Sequence, residues 1–280
     1  MSGPNYIKFP GIQNQSQRKI VAYENAALGS QSIGNTYPFN PRSLNNLRLW
    51  FDAADTSTIT ASSNKVSQWN DKSPFATNVT QATGSNQPSS GLVTQNGLNV
   101  ISGFVGNATP INLAGSSQSF TTNGEFTLMV VCNWTNPGTA SGSNFYAEPI
   151  AIGQSGLTAQ IVQLRASNSG MDFLCFNTSS TVYNSLGTVP PANTWVVVGG
   201  RFSSGQAQCI QSGGTLGPVT TVTGTLQTVS APLMIGSMTN FTTTQNFQGS
   251  IAEIVYYTRA LNTNEYLALG EYLRHKWAAV

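Results

Sequence analysis

The chain is short of charge: Lys, Arg, Asp and Glu together make up 8 % of its 280 residues, against about 25 % in an ordinary soluble domain. Twelve basic residues face ten acidic ones, for a net charge of +2. No run of Lys or Arg forms the basic face that nucleic-acid binding needs, so nucleic acid is not expected as a partner. No stretch approaches the roughly 18 apolar residues of a membrane-spanning helix, so a membrane is not expected either. The opening MSGPNYIKFPGIQNQSQ lacks the apolar segment of a secretion signal, and the expectation is a chain made and folded in a cytoplasm. The three cysteines, Cys132, Cys175 and Cys209, are odd in number, far apart and without CxxC spacing. They read as small buried hydrophobes kept reduced.

Catalytic groupings are equally scarce. The single histidine, His275, sits among cations near the chain end, so a Ser-His-Asp or Cys-His arrangement would have to be built around a surface residue. Neither a GxxxxGK[ST] nor a GxGxxG phosphate loop is present. Glycoside hydrolysis needs two carboxyl groups about 5 to 5.5 Å or about 6.5 to 9.5 Å apart, yet Glu125, Glu148, Asp172 and Glu253 are each solitary in the sequence. Glu253 is expected to pair with Arg259 across a turn. No enzymatic activity is expected.

What the chain does hold is 39 % hydrophobic and 10 % aromatic residues, enough to build a core and too much for disorder. Its polar surface must therefore be made of Asn, Gln, Ser and Thr, which suits close packing with neighbours or neutral partners such as glycans. Residues 1–43 are Pro-punctuated and Gln/Asn/Ser-rich. They predict an extended arm that drapes over its own domain or docks on another subunit. From Leu44 onward, residues 44–280 alternate with period two or run briefly apolar between Gly-, Ser-, Asn- and Pro-rich turns, the pattern of packed antiparallel sheets. Phe126 to Val131 and Trp195 to Val198 lack polar alternation and predict central strands covered on both faces. One helix is expected, at the end: Asn262 and Glu265 form a capping box, and Tyr266, Leu269, Leu273 and Trp277 share a face.

Two candidate sites follow. The stretch LRLWFDAADTSTITASSNKVSQWNDKSP, residues 47–74, gathers Asp52, Asp55 and Asp71 near Trp50, Phe51 and Trp69. Short acids at strand exits serve turn chemistry, with Asp71 starting an Asx turn before Pro74. Three carboxylates also suit a calcium ion, which takes six to eight oxygens. A sugar platform needs an exposed aromatic ring flanked by amides and hydroxyls, and Phe145, Tyr146 and Phe241 stand in such loops.

The opening LWFDAADTSTIT with VSQWNDKS, and the closing GSIAEIVYYTRALNTNEYLALGEYLRHKW, together resemble the laminin-G-like, concanavalin A-like lectin/glucanase family, in the versions found in phage and large-virus structural proteins. The resemblance implies an all-β, two-sheet antiparallel jelly-roll sandwich over residues 44–280 with a C-terminal helix and an N-terminal arm. It also implies that calcium at the sandwich rim is an option. The function expected from it is that of a non-enzymatic virion protein, structural or decorating, packed on other virion proteins in a homo- or hetero-oligomer. The alternative is a glycan-binding adhesin on a tail fibre or cell surface.

Overall fold

The opening of the sandwich and its close meet in space: the first described strand pairs with the last. The computed structural model of the chain describes residues 39–105, 111–120, 124–135, 147–153, 160–167, 170–179, 182–211, 214–226, 230–237 and 246–280. In chain order the strands are β1 (Leu47–Asp52), β2 (Ile59–Ser62), β3 (Lys65–Trp69), β4 (Val79–Thr80), β5 (Ser89–Gln95), β6 (Leu98–Phe104), β7 (Leu113–Gly115), β8 (Gln118–Ser119), β9 (Phe126–Trp134) and β10 (Ala147–Gly153). They continue as β11 (Gln160–Ser167), β12 (Gly170–Phe176), β13 (Val182–Gly187), β14 (Trp195–Ser203), β15 (Gln206–Ile210), β16 (Leu216–Thr221), β17 (Ser230–Ala231), β18 (Leu233–Ile235) and β19 (Gly249–Tyr257). The helix α1 (Thr263–Trp277) follows.

Two antiparallel layers result. The first runs β16, β15, β14, β9, β19, β1. The second runs β13, β12, β11, β10, β18, β7, β4, β3. β6 pairs with β19 and with β5, and β5 touches β3 through Lys65 and Ser89, which joins the layers. Between them lies one core, with Leu49, Phe51, Trp69, Phe126, Phe173, Phe202 and Tyr256 among its buried residues. Phe126 stacks on Phe202 at 5.8 Å and tilts against Phe173 of the other layer at 5.8 Å. This is the all-β sandwich with a terminal helix that the sequence predicts.

The helix begins as its sequence dictates. The Asn262 side chain accepts from Glu265 N at 3.1 Å, and Glu265 Oε2 accepts from Asn262 N at 3.0 Å, so two helix-end donors are satisfied reciprocally. Tyr266, Leu269, Leu273 and Trp277 are buried as one face, and α1 lies against β14 and β9. The first layer is thus covered by the second layer on one side and by the helix on the other. This is why Phe126–Val131 and Val196–Val198 are buried throughout. Among the strands that composition conceals, β5 (SSGLVTQ) is largely solvent-facing, and β16 carries Pro218 and, among the described residues, pairs with β15 alone.

Residues 39–43, the end of the expected arm, pack on the sandwich. Phe39 meets the Tyr272 ring at 5.5 Å, and the Tyr257 hydroxyl donates to Pro41 O at 2.9 Å. Residues 1–38 lie outside the described residues.

Candidate functional site

The Asp-rich opening builds a brace beneath the helix. Asp52 and Glu253 are cross-strand partners on β1 and β19, and both point toward α1. Glu253 is fully buried. Its Oε1 accepts from Trp50 Nε1 at 2.7 Å and from the Tyr272 hydroxyl at 2.9 Å; its Oε2 accepts from Lys276 Nζ and Trp277 Nε1, each at 2.7 Å. Burial and the neighbouring Asp52 push this carboxyl up from its ordinary value, against the pull of Lys276 and Trp277. Lys276 also meets Asp52 Oδ1 at 2.7 Å, and Lys72 reaches Asp52 Oδ2 at 3.0 Å and Asp55 Oδ2 at 2.8 Å. The Lys72 and Ser57 side chains hold the Asp55 carboxyl below its usual value.

Asp71 belongs to a second network, beside the buried Arg48 guanidinium rather than the lysines. It accepts from Trp50 N at 2.9 Å, Ser73 N at 2.8 Å, Ser73 Oγ at 2.6 Å and Thr77 N at 2.9 Å. The bond to Ser73 N closes the Asx turn predicted before Pro74. So Asp52 and Asp55 are brought together on Lys72, while Asp71 is spent on backbone and hydroxyl donors. Ammonium groups take the carboxylate oxygens that a calcium ion would need. Among the described residues no group of three or more His, Cys, Asp or Glu side chains could hold a metal ion. The expected Glu253–Arg259 pair is corrected by the structure: Arg259 instead forms a two-bond pair with Glu265, at 2.6 and 2.9 Å, because the helix start lies on its side of the turn.

A second constellation lies on the face of the second layer turned away from the main core, and it is buried as well: Glu148, Ala151, Met234, Leu174, Gln163 and Asp172 are each at most 3 % exposed. Alternate residues of β10, β11 and β12 enter the main core, among them Ile150, Leu164 and Phe173, and those between them face away. The outward residues form a registered row across six strands: Ala114, Met234, Ala151, Gln163, Leu174, Asn184. Met234 and Ala151, with Ala114 against them, make an apolar cluster separate from the main core. Beside this row runs a charged one. Arg165 on β11 pairs with Asp172 on β12 through Nε and Oδ2 at 2.9 Å, and Asn184 Nδ2 donates to Asp172 Oδ1 at 3.1 Å. A bulge between Ala147 and Ile150 sets Glu148 on β10 opposite Arg165.

Glu148 is fully buried, and neither of its carboxyl oxygens has a hydrogen-bond partner; Asn184 Oδ1 is likewise unpartnered. Burial pushes the Glu148 carboxyl up to about 8, with Arg165 pulling it down and Asp172 pushing it further up. A carboxyl of that kind is neutral at pH 7 and both donates and accepts. Each unpartnered buried acceptor carries a desolvation penalty of about 1 to 3 kcal/mol, which a ligand bearing hydroxyl donors would relieve.

Sequence reasoning set Glu148 and Asp172 aside as solitary and did not single out Arg165. A usable signal existed: Arg165 and Asp172 are equidistant from the turn that pairs Ser167 with Gly170, so a tight hairpin must place them opposite each other. Phe145, Tyr146 and Phe241 lie outside the described residues. Among the described residues Phe75 is a strongly exposed aromatic, at 58 %, backed by the Arg48 guanidinium 4.5 Å from its ring. The three cysteines are buried and unbridged, and burial pushes each thiol up, which keeps the reactive thiolate form scarce.

The family described as the concanavalin A-like lectin/glucanases superfamily matches residues 105–265. No curated protein matches the chain. Among solved structures, the binding domain of paraclostridial mosquitocidal protein 1 is similar with a TM-score of 0.63 at 12 % identity, over 86 % of this chain and 56 % of that one. The botulinum neurotoxin serotype D ligand-binding domain, solved with N-acetylneuraminic acid, gives 0.55 at 11 % identity, over 83 % of this chain and 52 % of that one. Domain 4 of a Geobacillus stearothermophilus extracellular arabinanase, solved with arabinotriose, gives 0.53 at 10 % identity, over 80 % of this chain and 98 % of that one. The chain thus spans about half the length of the toxin domains it matches, and at these identities the likeness is one of fold.

Proposed function

Because the chain belongs to the concanavalin A-like lectin/glucanases superfamily, we propose that it is a non-enzymatic, glycan-binding, lectin-like module. The observation that carries this reading is the fold it shares with the botulinum neurotoxin serotype D ligand-binding domain, solved with N-acetylneuraminic acid, and with the arabinanase domain solved with arabinotriose. Hydrolysis has less support. The carboxyl groups that stand together, Asp52 and Glu253, are closed by Lys276, and Arg165 stands between Glu148 and Asp172.

The test is a glycan array probed with the full chain. Reproducible glycan binding is expected, and silence across the array would overturn the reading.

A structural or decorating place in a virus particle is the second reading. It is favoured by the adjoining edge strands β13 and β16, which carry exposed Leu186 and Val219 with Val189 beyond, a surface suited to a neighbouring subunit. Recovery of the chain at fixed copy number from purified particles is the expected result, and its absence there would remove this reading.

A further inference from the structure

We infer that residues 1–38 dock back on their own chain as a strap across β18, β10, β11 and β12, on the face turned away from the main core. Beside Ala151 and Met234, β12 sets Leu174 and Phe176 on that face, each 2 % exposed, because Phe173 and Cys175 alternate with them into the core. Among the described residues no helix or strand lies broadly across these buried side chains: α1 packs on the first layer, and β15 meets β12 on the core side. The burial holds within a single chain, so the cover belongs to that chain.

The cover has limits on both sides. Leu186, opposite Asp172 on β13, is 46 % exposed, and Thr80, opposite Ala114 on β4, is exposed as well. Between them the buried strip runs from Met234 to Leu174 over three strand spacings, about 14 Å. Burying Ala151, Met234, Leu174 and Phe176 takes apolar side chains from the covering segment. Outside the described residues the run richest in them is IVAYENAAL, residues 20–28. The longer internal segments, NPGTASGSNFY at 136–146 and MTNFTTTQ at 238–245, consist mostly of Gly, Ser, Thr and Asn.

Reach is sufficient. The arm enters the described structure at Phe39, on the Tyr272 ring of α1, two layer steps of about 10 Å each from the covered face. Residues 29–38 alone span up to about 33 Å when extended. The same strap accounts for Glu148, which lies opposite Arg165 on this side of β10 and has no exposure.

The test is oxidation of the full chain by dilute hydrogen peroxide, read methionine by methionine in a mass spectrometer. Met234 lies under the strap, whereas Met129 and Met171 lie in the main core, and in the wild type all three should resist alike. Ile20→Asp combined with Val21→Asp puts charge on both sides of the apolar run, which a buried apolar face rejects. It should speed oxidation of Met234 about tenfold or more and leave Met129 and Met171 unmoved. Met234 open to oxidant in the wild type, or still shielded in the double variant, would overturn the inference. A second measurement decides even where that variant misfolds: p-benzoylphenylalanine in place of Tyr23, activated in the full chain, should cross-link to peptides of β10–β12. Attachment only elsewhere on the sandwich, or only to a second chain, would equally overturn it.

Discussion

At Glu253 four donors converge on one buried carboxyl, and the arrangement fails as a unit. Glu253→Ala leaves the Lys276 ammonium short of a partner and the Trp50 and Trp277 indoles unpaired in the interior. Breaking a buried pair from one side costs about 3 to 5 kcal/mol. Urea unfolding followed by tryptophan fluorescence should show a loss of that size.

Glu148 behaves in the opposite sense. Its folded carboxyl titrates near 8 against an ordinary 4.5, so between those values the folded chain holds a proton that the unfolded chain releases. Its contribution is therefore complete below about pH 4.5 and is lost as pH rises to about 8, at about 1.4 kcal/mol per pH unit. The unfolding free energy of the wild type should fall between pH 5 and pH 8 more steeply than that of Glu148→Gln, as measured by urea titration at both pH values.

These two residues also mark how far a sequence can be read. Asp52, Asp55 and Asp71 stand out by crowding, and the Asx turn of Asp71 follows from its neighbours alone. The partner of Glu253 does not, because it depends on where a helix starting ten residues later comes to rest. Glu148 hides for a related reason: in AEPIAIG it is one acid in an apolar run, and only the bulge and the register of β10 to β12 set it beside Arg165 and Asp172.

Among elements, α1 carries its own start signal. Asn262→Ala removes the acceptor for Glu265 N and should destabilise the protein by about 1 kcal/mol, within the 0.5 to 2 kcal/mol range of lost caps, seen as a lower thermal midpoint by circular dichroism. The cap, the apolar face and the cationic last turn were all legible because each is local. The docking face was not. Nothing in TNEYLALGEYLRHKW says that the helix covers β9 and β14, although the unbroken apolar runs of those strands required some cover on both sides. The edge strands β5 and β16 escaped notice for the converse reason: a strand with one wet face and a free edge tolerates Pro218, Gly91 and a run of polar residues that resemble a loop.

For the whole molecule, residues 39–43 belong energetically to the sandwich. A chain starting at Leu44 loses the Phe39–Tyr272 contact, the Tyr257–Pro41 hydrogen bond and the Arg42 bonds to Lys72 O. Relative to a chain starting at Phe39 it should melt a few degrees lower by calorimetry, since about 1 kcal/mol moves the midpoint of a domain this size by roughly 2 to 4 °C. Both chains should stay folded, because the core itself lies beyond these residues.

The pairing of β1 with β19 has a further consequence for how the molecule comes into being. Trp50 and Glu253 are 203 positions apart, and among the described residues β1 pairs with β19 alone. On a ribosome working at about 5 to 20 residues per second, the first strand leaves the exit tunnel on the order of 10 to 40 seconds before its partner does. Through that interval Leu47, Leu49 and Phe51 have no sheet to join. The nascent chain should therefore depend on holding chaperones until β19 has emerged, and in their absence it should yield less soluble protein without any change in the stability of what does fold.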